Sequence, residues 1–104
     1  MDILEVTAAL QALRESTSRT PAPSSRELET APLIEEWVMT IVPPDGGPSL
    51  FGRVTGHPLI EDGRSVCTSE LVALDREAGW ARTRSRYYRL GREAGEDEVE
   101  NGHP

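Results

Sequence analysis

The chain reads as an α+β protein: an N-terminal amphipathic helix followed by a small antiparallel β-meander of four or five strands, open or partly closed into a barrel. Three observations predict this. Ile3, Val6, Leu10 and Leu13 recur at helical spacing. Short runs rich in β-branched and aromatic residues follow between about residues 37 and 90. Turn signals separate those runs, namely PPDGG at 43–47, Asp62–Gly63 and the loop Asp75–Gly79.

The helix is expected over residues 3–15, within an N-terminal unit spanning 1–15. Asp2 with Glu5 three residues later forms a capping-box-like start, and Leu4 and Ala9 widen the apolar stripe. Its expected role is to pack on the sheet, with a partner helix as the sharper alternative. Residues 16–30 read as a linker, because STSRTPAPSS is polar and contains proline. Within it, Ser24 and Glu27 can cap a brief helical turn before Pro32.

Residues 31–92 form the β-rich domain. Leu33–Val42 is ambiguous by period: Leu33, Trp37 and Ile41 fit a helix, whereas Trp37, Met39 and Ile41 fit one strand face. The β-branched density and Pro43–Pro44 favour a strand at 37–42. A second strand is expected at 50–55, with Gly52 and Gly56 marking bends or close backbone approach. Asp62–Gly63 is expected to join 59–61 to 64–68 as a hairpin. A longer strand runs from about 66 to 74, and Gly79, suited to a positive φ, leads into a strand at 80–90. Residues 93–104 form an acidic tail of low hydrophobic content, for which disorder is the expectation.

The net charge of −7 is unevenly placed. Trp80 to Arg92 holds five arginines and no acid, whereas Glu93 to Pro104 holds five acids and no base. The overall field repels phosphate, so general nucleic-acid affinity is disfavoured, although a local basic stripe can survive it. Every basic residue is arginine, which supplies planar bidentate donors. A single Cys67 excludes an intramolecular disulfide and a cysteine-rich zinc site. No apolar run reaches membrane-spanning length and the N-terminus lacks a basic signal-peptide start, so a cytoplasmic protein without membrane contact is expected.

The segments GRVTGHPLIEDGR, TSELVALD and GWARTRSRYYRLG, with APLIEEW upstream, resemble a family of small, mainly alphaproteobacterial proteins defined only as a domain of unknown function. The resemblance covers about residues 31–92. It implies a domain boundary and carries no activity.

Among candidate chemistries the 80–90 segment stands first. In one strand, Trp80, Arg82, Arg84, Arg86 and Tyr88 would share a face, with Arg89 and Arg92 alongside. Their repeat is comparable to successive phosphates, and the aromatics could stack on bases. The ordinary explanation is a solvated strand face whose arginines pair with Glu70 or Asp75. His57, in Gly-His-Pro, has no metal-ligand partner at suitable spacing and reads as a turn residue. Cys67 reads as a small core residue, and Thr68–Ser69–Glu70 as polar strand residues. No catalytic constellation, metal site or cofactor motif is present, so an enzyme is not expected. The expectation is a non-catalytic accessory or regulatory module that binds another macromolecule, a protein first, through the arginine/aromatic strand. Direct nucleic-acid binding by that strand is one alternative. The other is an acidic surface that mimics nucleic acid and blocks a basic partner. Oligomeric state is left open. A further expectation makes the acidic tail a mask over the arginines.

Overall fold

The computed structural model describes residues 3–42 and 47–95. The order of elements is α1 (Ile3–Arg19), α2 (Ser25–Thr30), β1 (Leu33–Val42), β2 (Gly47–Thr55), β3 (Ser65–Cys67), β4 (Leu71–Asp75), β5 (Trp80–Thr83) and β6 (Tyr87–Leu90). The α+β class holds, with six strands rather than four or five. They form one sheet in the order β3-β2-β1-β6-β5-β4. The sheet is not a pure antiparallel meander, because β1 and β6 pair in parallel, Leu33 against Arg89 and Ile34 against Leu90.

β3 and β4 lie at opposite edges of the sheet, yet only residues 68–70 separate them in the chain. Four Cα steps span at most about 15 Å, whereas the edges of a flat six-stranded sheet would be about 24 Å apart. The sheet must therefore curl. Thr68 makes the corner: its N–H donates to the Leu50 carbonyl (2.8 Å), and its hydroxyl accepts from the Leu50 N–H (3.0 Å) and donates to the Ser69 carbonyl (2.8 Å). The expected strand over 66–74 is thus two strands, divided where a threonine side chain takes over a ladder bond.

Inside the curl, Ile34, Trp37, Leu50, Val54, Leu71, Ala81 and Tyr88 form the core, which Leu13 of α1 completes. β1 explains the ambiguous period of its sequence. Its register with β2 shifts between Glu35 and Val38, and Glu36 takes φ 51°. This bulge leaves Glu35 and Glu36 exposed and turns both Ile34 and Trp37 inward, three residues apart, which imitates helical spacing. Opposite it, a Cβ on Gly52 would lie 2.9 Å from the Glu35 carbonyl oxygen, so close approach is the reason for that glycine.

α1 runs four residues beyond the expected Glu15 and docks on the edge strand β4, where Thr17 Oγ1 accepts the Leu74 N–H at 3.0 Å. A helix hydroxyl thereby satisfies a donor on the open edge of the sheet. The linker boundaries change accordingly, since 16–19 belong to α1 and 25–30 to α2. The latter has the anticipated capping box between Ser24 and Glu27. Asp62–Gly63 does form a turn, but Leu59–Glu61 is not a strand; β3 pairs with β2 instead. Cys67 is exposed and not a core residue, because β3 is an edge strand and its alternation turns Cys67 outward opposite the exposed Phe51.

At the C-terminal end, Glu93 bridges Trp37 in parallel and the Ala94 N–H donates to the Trp37 carbonyl at 2.9 Å. The ordered chain therefore continues past Arg92 along β1. Asp2 of the proposed capping box, the turn at 43–46 and the tail from 96 to 104 lie outside the described residues. No helix among the described residues is long and apolar enough to cross a membrane.

Candidate functional site

The single arginine strand expected over 80–90 is two strands joined by a tight turn. Thr83 closes that turn. Its N–H donates to the Arg86 carbonyl at 2.9 Å, and its hydroxyl accepts from the Ser85 and Arg86 N–H groups at 3.1 and 3.2 Å. Thr83 is fully buried, so the hydroxyl replaces solvent for two backbone donors.

The turn changes which residues share a face. Arg82 pairs with Tyr87 and Trp80 with Arg89, so even-numbered residues of β5 join odd-numbered residues of β6 on the outer face. Ala81 and Tyr88 face the core. The expected face of Trp80, Arg82, Arg84, Arg86 and Tyr88 therefore does not exist as one surface. Trp80 and Tyr88 are each 4% exposed, which removes both as open stacking platforms.

The chain before β1 folds back over the outer face. Tyr87 Oη donates to the Pro21 carbonyl at 2.8 Å, and Arg89 Nε donates to the Ala31 carbonyl at 3.0 Å. Trp80 packs edge-on against the Tyr87 ring, with centroids 5.8 Å apart. Arg82 lies over that ring, its guanidinium carbon 4.8 Å from the centroid.

This leaves the arginines in different states. Arg84 projects from the turn and pairs with Glu70 at 2.7 Å, as the strand-pairing explanation anticipates, while the Ser69 and Ser85 hydroxyls meet beside it at 3.0 Å. Arg89 is engaged with backbone. Arg92 is exposed on the segment that leaves β6, and its carbonyl accepts from the Trp37 N–H at 3.3 Å. Among the described residues, Arg82 and Arg86 have no carboxylate within ion-pair distance. They line one cleft of about 240 Å³ together with Thr30, Pro58, Ser85 and Tyr87. Glu27 is the one acid at its edge, and its carboxylate is already used to accept the Ser24 N–H.

Tyr87, Ser85, Thr30 and Pro58 escape sequence reasoning. Their signal lies in the parity change at the turn and in the fold-back of residues 20–32, neither of which has a local motif.

His57 lies on the core-facing flank of the same turn. Its ring is 6.2 Å from that of Tyr88, and its Nδ1 accepts the Leu59 N–H at 3.0 Å. Burial and then the nearby Arg86 charge hold its pKa below the usual 6.5. Burial raises the Tyr88 hydroxyl above its usual range, and Arg86 opposes that shift. Arg86 thus carries a positive charge felt by both rings. Among the described residues no three His, Cys, Asp or Glu side chains converge as metal ligands. The cleft can take an anionic group on its two guanidinium donors, since the Thr30 hydroxyl already donates to the Arg26 and Glu27 carbonyls and the Ser85 hydroxyl meets that of Ser69.

No curated protein and no solved structure matches the chain. A family model described as a family of unknown function, DUF6634, matches residues 5–103, and so covers most of α1, the complete sheet and every residue that lines the arginine cleft. On that match the chain belongs to the DUF6634 family.

Proposed function

We propose that this protein is a non-catalytic accessory or regulatory module, acting in the cytoplasm, that binds an acidic segment of another protein in the cleft between the β5–β6 turn and the 20–32 segment. One observation carries the reading: within a stretch of five arginines, Arg82 and Arg86 are the two that share a cleft and lack a carboxylate among the described residues. Two guanidinium groups line one cleft whose single acid, Glu27, already accepts the Ser24 N–H, so an incoming carboxylate offsets the positive charge while forming charge-assisted hydrogen bonds. Tyr87, Pro58 and the shoulder of Ala31–Pro32 add apolar area beside the charge, as protein interfaces favour.

A nucleic-acid ligand through the same residues is less well supported. Single-strand binders need exposed aromatic faces and a groove that tracks the backbone. Here Trp80 and Tyr88 are buried and the extended arginine row is folded in two.

The test is capture from a bacterial lysate with and without nuclease, comparing wild type, Arg82→Ala/Arg86→Ala and Arg84→Ala. The expected result is a nuclease-resistant protein bound by wild type and Arg84→Ala and lost from the double variant. A ligand removed by nuclease, or equal capture by all three, would overturn the reading.

A further inference from the structure

A groove of about 540 Å³ runs between α1 and the sheet. Leu10 and Leu13 of α1, Met39 of β1 and Leu74 of β4 give it an apolar lining, and Arg14 and Arg76 give it positive charge. No acid lines it. Arg76 is engaged, since its Nε lies 3.4 Å from a Glu93 carboxylate oxygen and its guanidinium carbon 5.5 Å from the Trp37 ring centroid. Arg14 has no carboxylate within ion-pair distance among the described residues.

The chain after β6 leads to the rim of this groove. The Trp37 N–H donates to the Arg92 carbonyl at 3.3 Å, and the Ala94 N–H donates to the Trp37 carbonyl at 2.9 Å. Trp37 stands two residues before Met39 on β1, and Arg76 holds Glu93, so residues 92–94 lie beside two residues of the groove's lining. The described chain stops at Gly95, whose φ of 95° belongs to a turn. Nine residues of the sequence follow, Glu96 to Pro104. Extended, they span about 30 Å, enough to cross a groove of this size. Their chemistry complements it. Glu96, Asp97, Glu98 and Glu100 supply four carboxylates with no lysine or arginine among them, and Val99 supplies an apolar side chain. Tethering at the rim gives such a segment an effective concentration of about millimolar order.

We propose that residues 96–104 fold back into this groove as an intramolecular strap between the sheet and α1. Their carboxylates meet Arg14 beside the Glu93–Arg76 pair, and Val99 covers the apolar lining at Leu10 and Met39. Charge and tether together select this occupant: the acids follow directly on a segment that Arg76 already holds at the rim. The strap reinforces a helix whose described anchors on the sheet are Leu13 in the core and the Thr17 hydroxyl on the Leu74 N–H. The groove shares no residue with the arginine cleft, so the strap leaves that cleft open.

Paramagnetic relaxation in the full chain tests the proposal, with a nitroxide on Asn101→Cys in a Cys67→Ser background. The expected result is loss of signal from the Met39 and Leu74 methyls and the Ser18 amide, with the Thr30 and Ser85 amides of the arginine cleft little affected. Neutralising the acids (Glu96→Gln/Asp97→Asn/Glu98→Gln/Glu100→Gln) should restore the lost signals, and because residues 1–95 are otherwise unchanged a folding defect cannot explain the recovery. Arg14→Glu should restore them too, whereas Arg14→Lys should not. Arg82→Ala/Arg86→Ala should leave the pattern intact, so failure of the cleft reading and failure of this one are separable. Mixing nitroxide-bearing chain with isotope-labelled chain that lacks the nitroxide should give no signal loss. Loss at Thr30 and Ser85 instead, loss passed between molecules, loss indifferent to neutralising the acids, or no loss at all would overturn the proposal.

Discussion

The two turns on either side of β5 do the same geometric job with different chemistry. Between β4 and β5, the Asp75 carboxylate accepts the Ala78 N–H at 2.9 Å, the Asp75 carbonyl accepts the Gly79 N–H at 2.9 Å, and Gly79 takes φ 84°. Between β5 and β6 there is no glycine, proline, asparagine or aspartate, and the buried Thr83 hydroxyl organises the turn. The first turn is largely exposed and contributes no residue to the arginine cleft. The second sets the spacing of Arg82 and Arg86 and so shapes the candidate binding cleft. A turn closed by backbone freedom can be replaced by another such turn. A turn closed by one buried side chain ties local stability to the geometry of the surface it presents.

Substitutions can break that comparison. Thr83→Val keeps the shape and removes the hydroxyl, leaving the Ser85 and Arg86 N–H groups without their partner. A loss of about 1–3 kcal/mol in a urea denaturation series is expected, together with loss of partner capture. Gly79→Ala places a Cβ at a positive φ and should cost about 1–2 kcal/mol with no change in capture, since that turn touches no cleft residue. Arg84→Ala removes a largely exposed ion pair with Glu70, so its effect on stability should be about 0–1 kcal/mol. If Gly79→Ala abolished capture, or Thr83→Val left it unchanged, the separation between the two turns would be lost.

The smallest expected effect is the pH dependence due to His57. Its folded pKa is depressed, first by burial and then by Arg86. The native state therefore takes up its proton later than the unfolded chain as pH falls. The resulting stabilisation is present above 6.5 and is lost as pH falls from 6.5 through the lower folded value. The difference between urea midpoints at about pH 8 and about pH 5 should shrink in His57→Gln.

The same contrast explains how much could be read from the residues alone. The turn at Asp75–Gly79, the cap at Ser24–Glu27, the α1 seam and the close approach at Gly52 are written in residues whose conformational preferences are local, and all four are where the sequence places them. The turns at Thr68 and Thr83 were not legible, because threonine in a β-rich stretch reads as strand and its role as a hydrogen-bond substitute depends on burial. Missing Thr68 merges β3 with β4 and hides the curl of the sheet. Missing Thr83 merges β5 with β6 and puts Trp80 and Tyr88 on one face, when each is buried on its own side of the sheet. Arg82 and Arg86 are visible in the sequence as members of an arginine-rich stretch, whereas Tyr87 and Thr30 join them in one cleft only through tertiary folding.

The central claim is that Arg82 and Arg86, and not the full arginine row, form the binding surface. The most direct measurement is a heteronuclear NMR titration of the full chain with an acidic peptide from the captured partner, following arginine Nε–H, tryptophan indole and His57 signals. The account predicts shifts at Arg82 and Arg86, little change at Arg84 and at the Trp80 indole, and a rise in the His57 pKa as the peptide carboxylates neutralise Arg86. Shifts centred on Arg84 and Arg92, with Arg82, Arg86 and the His57 titration unmoved, would contradict it.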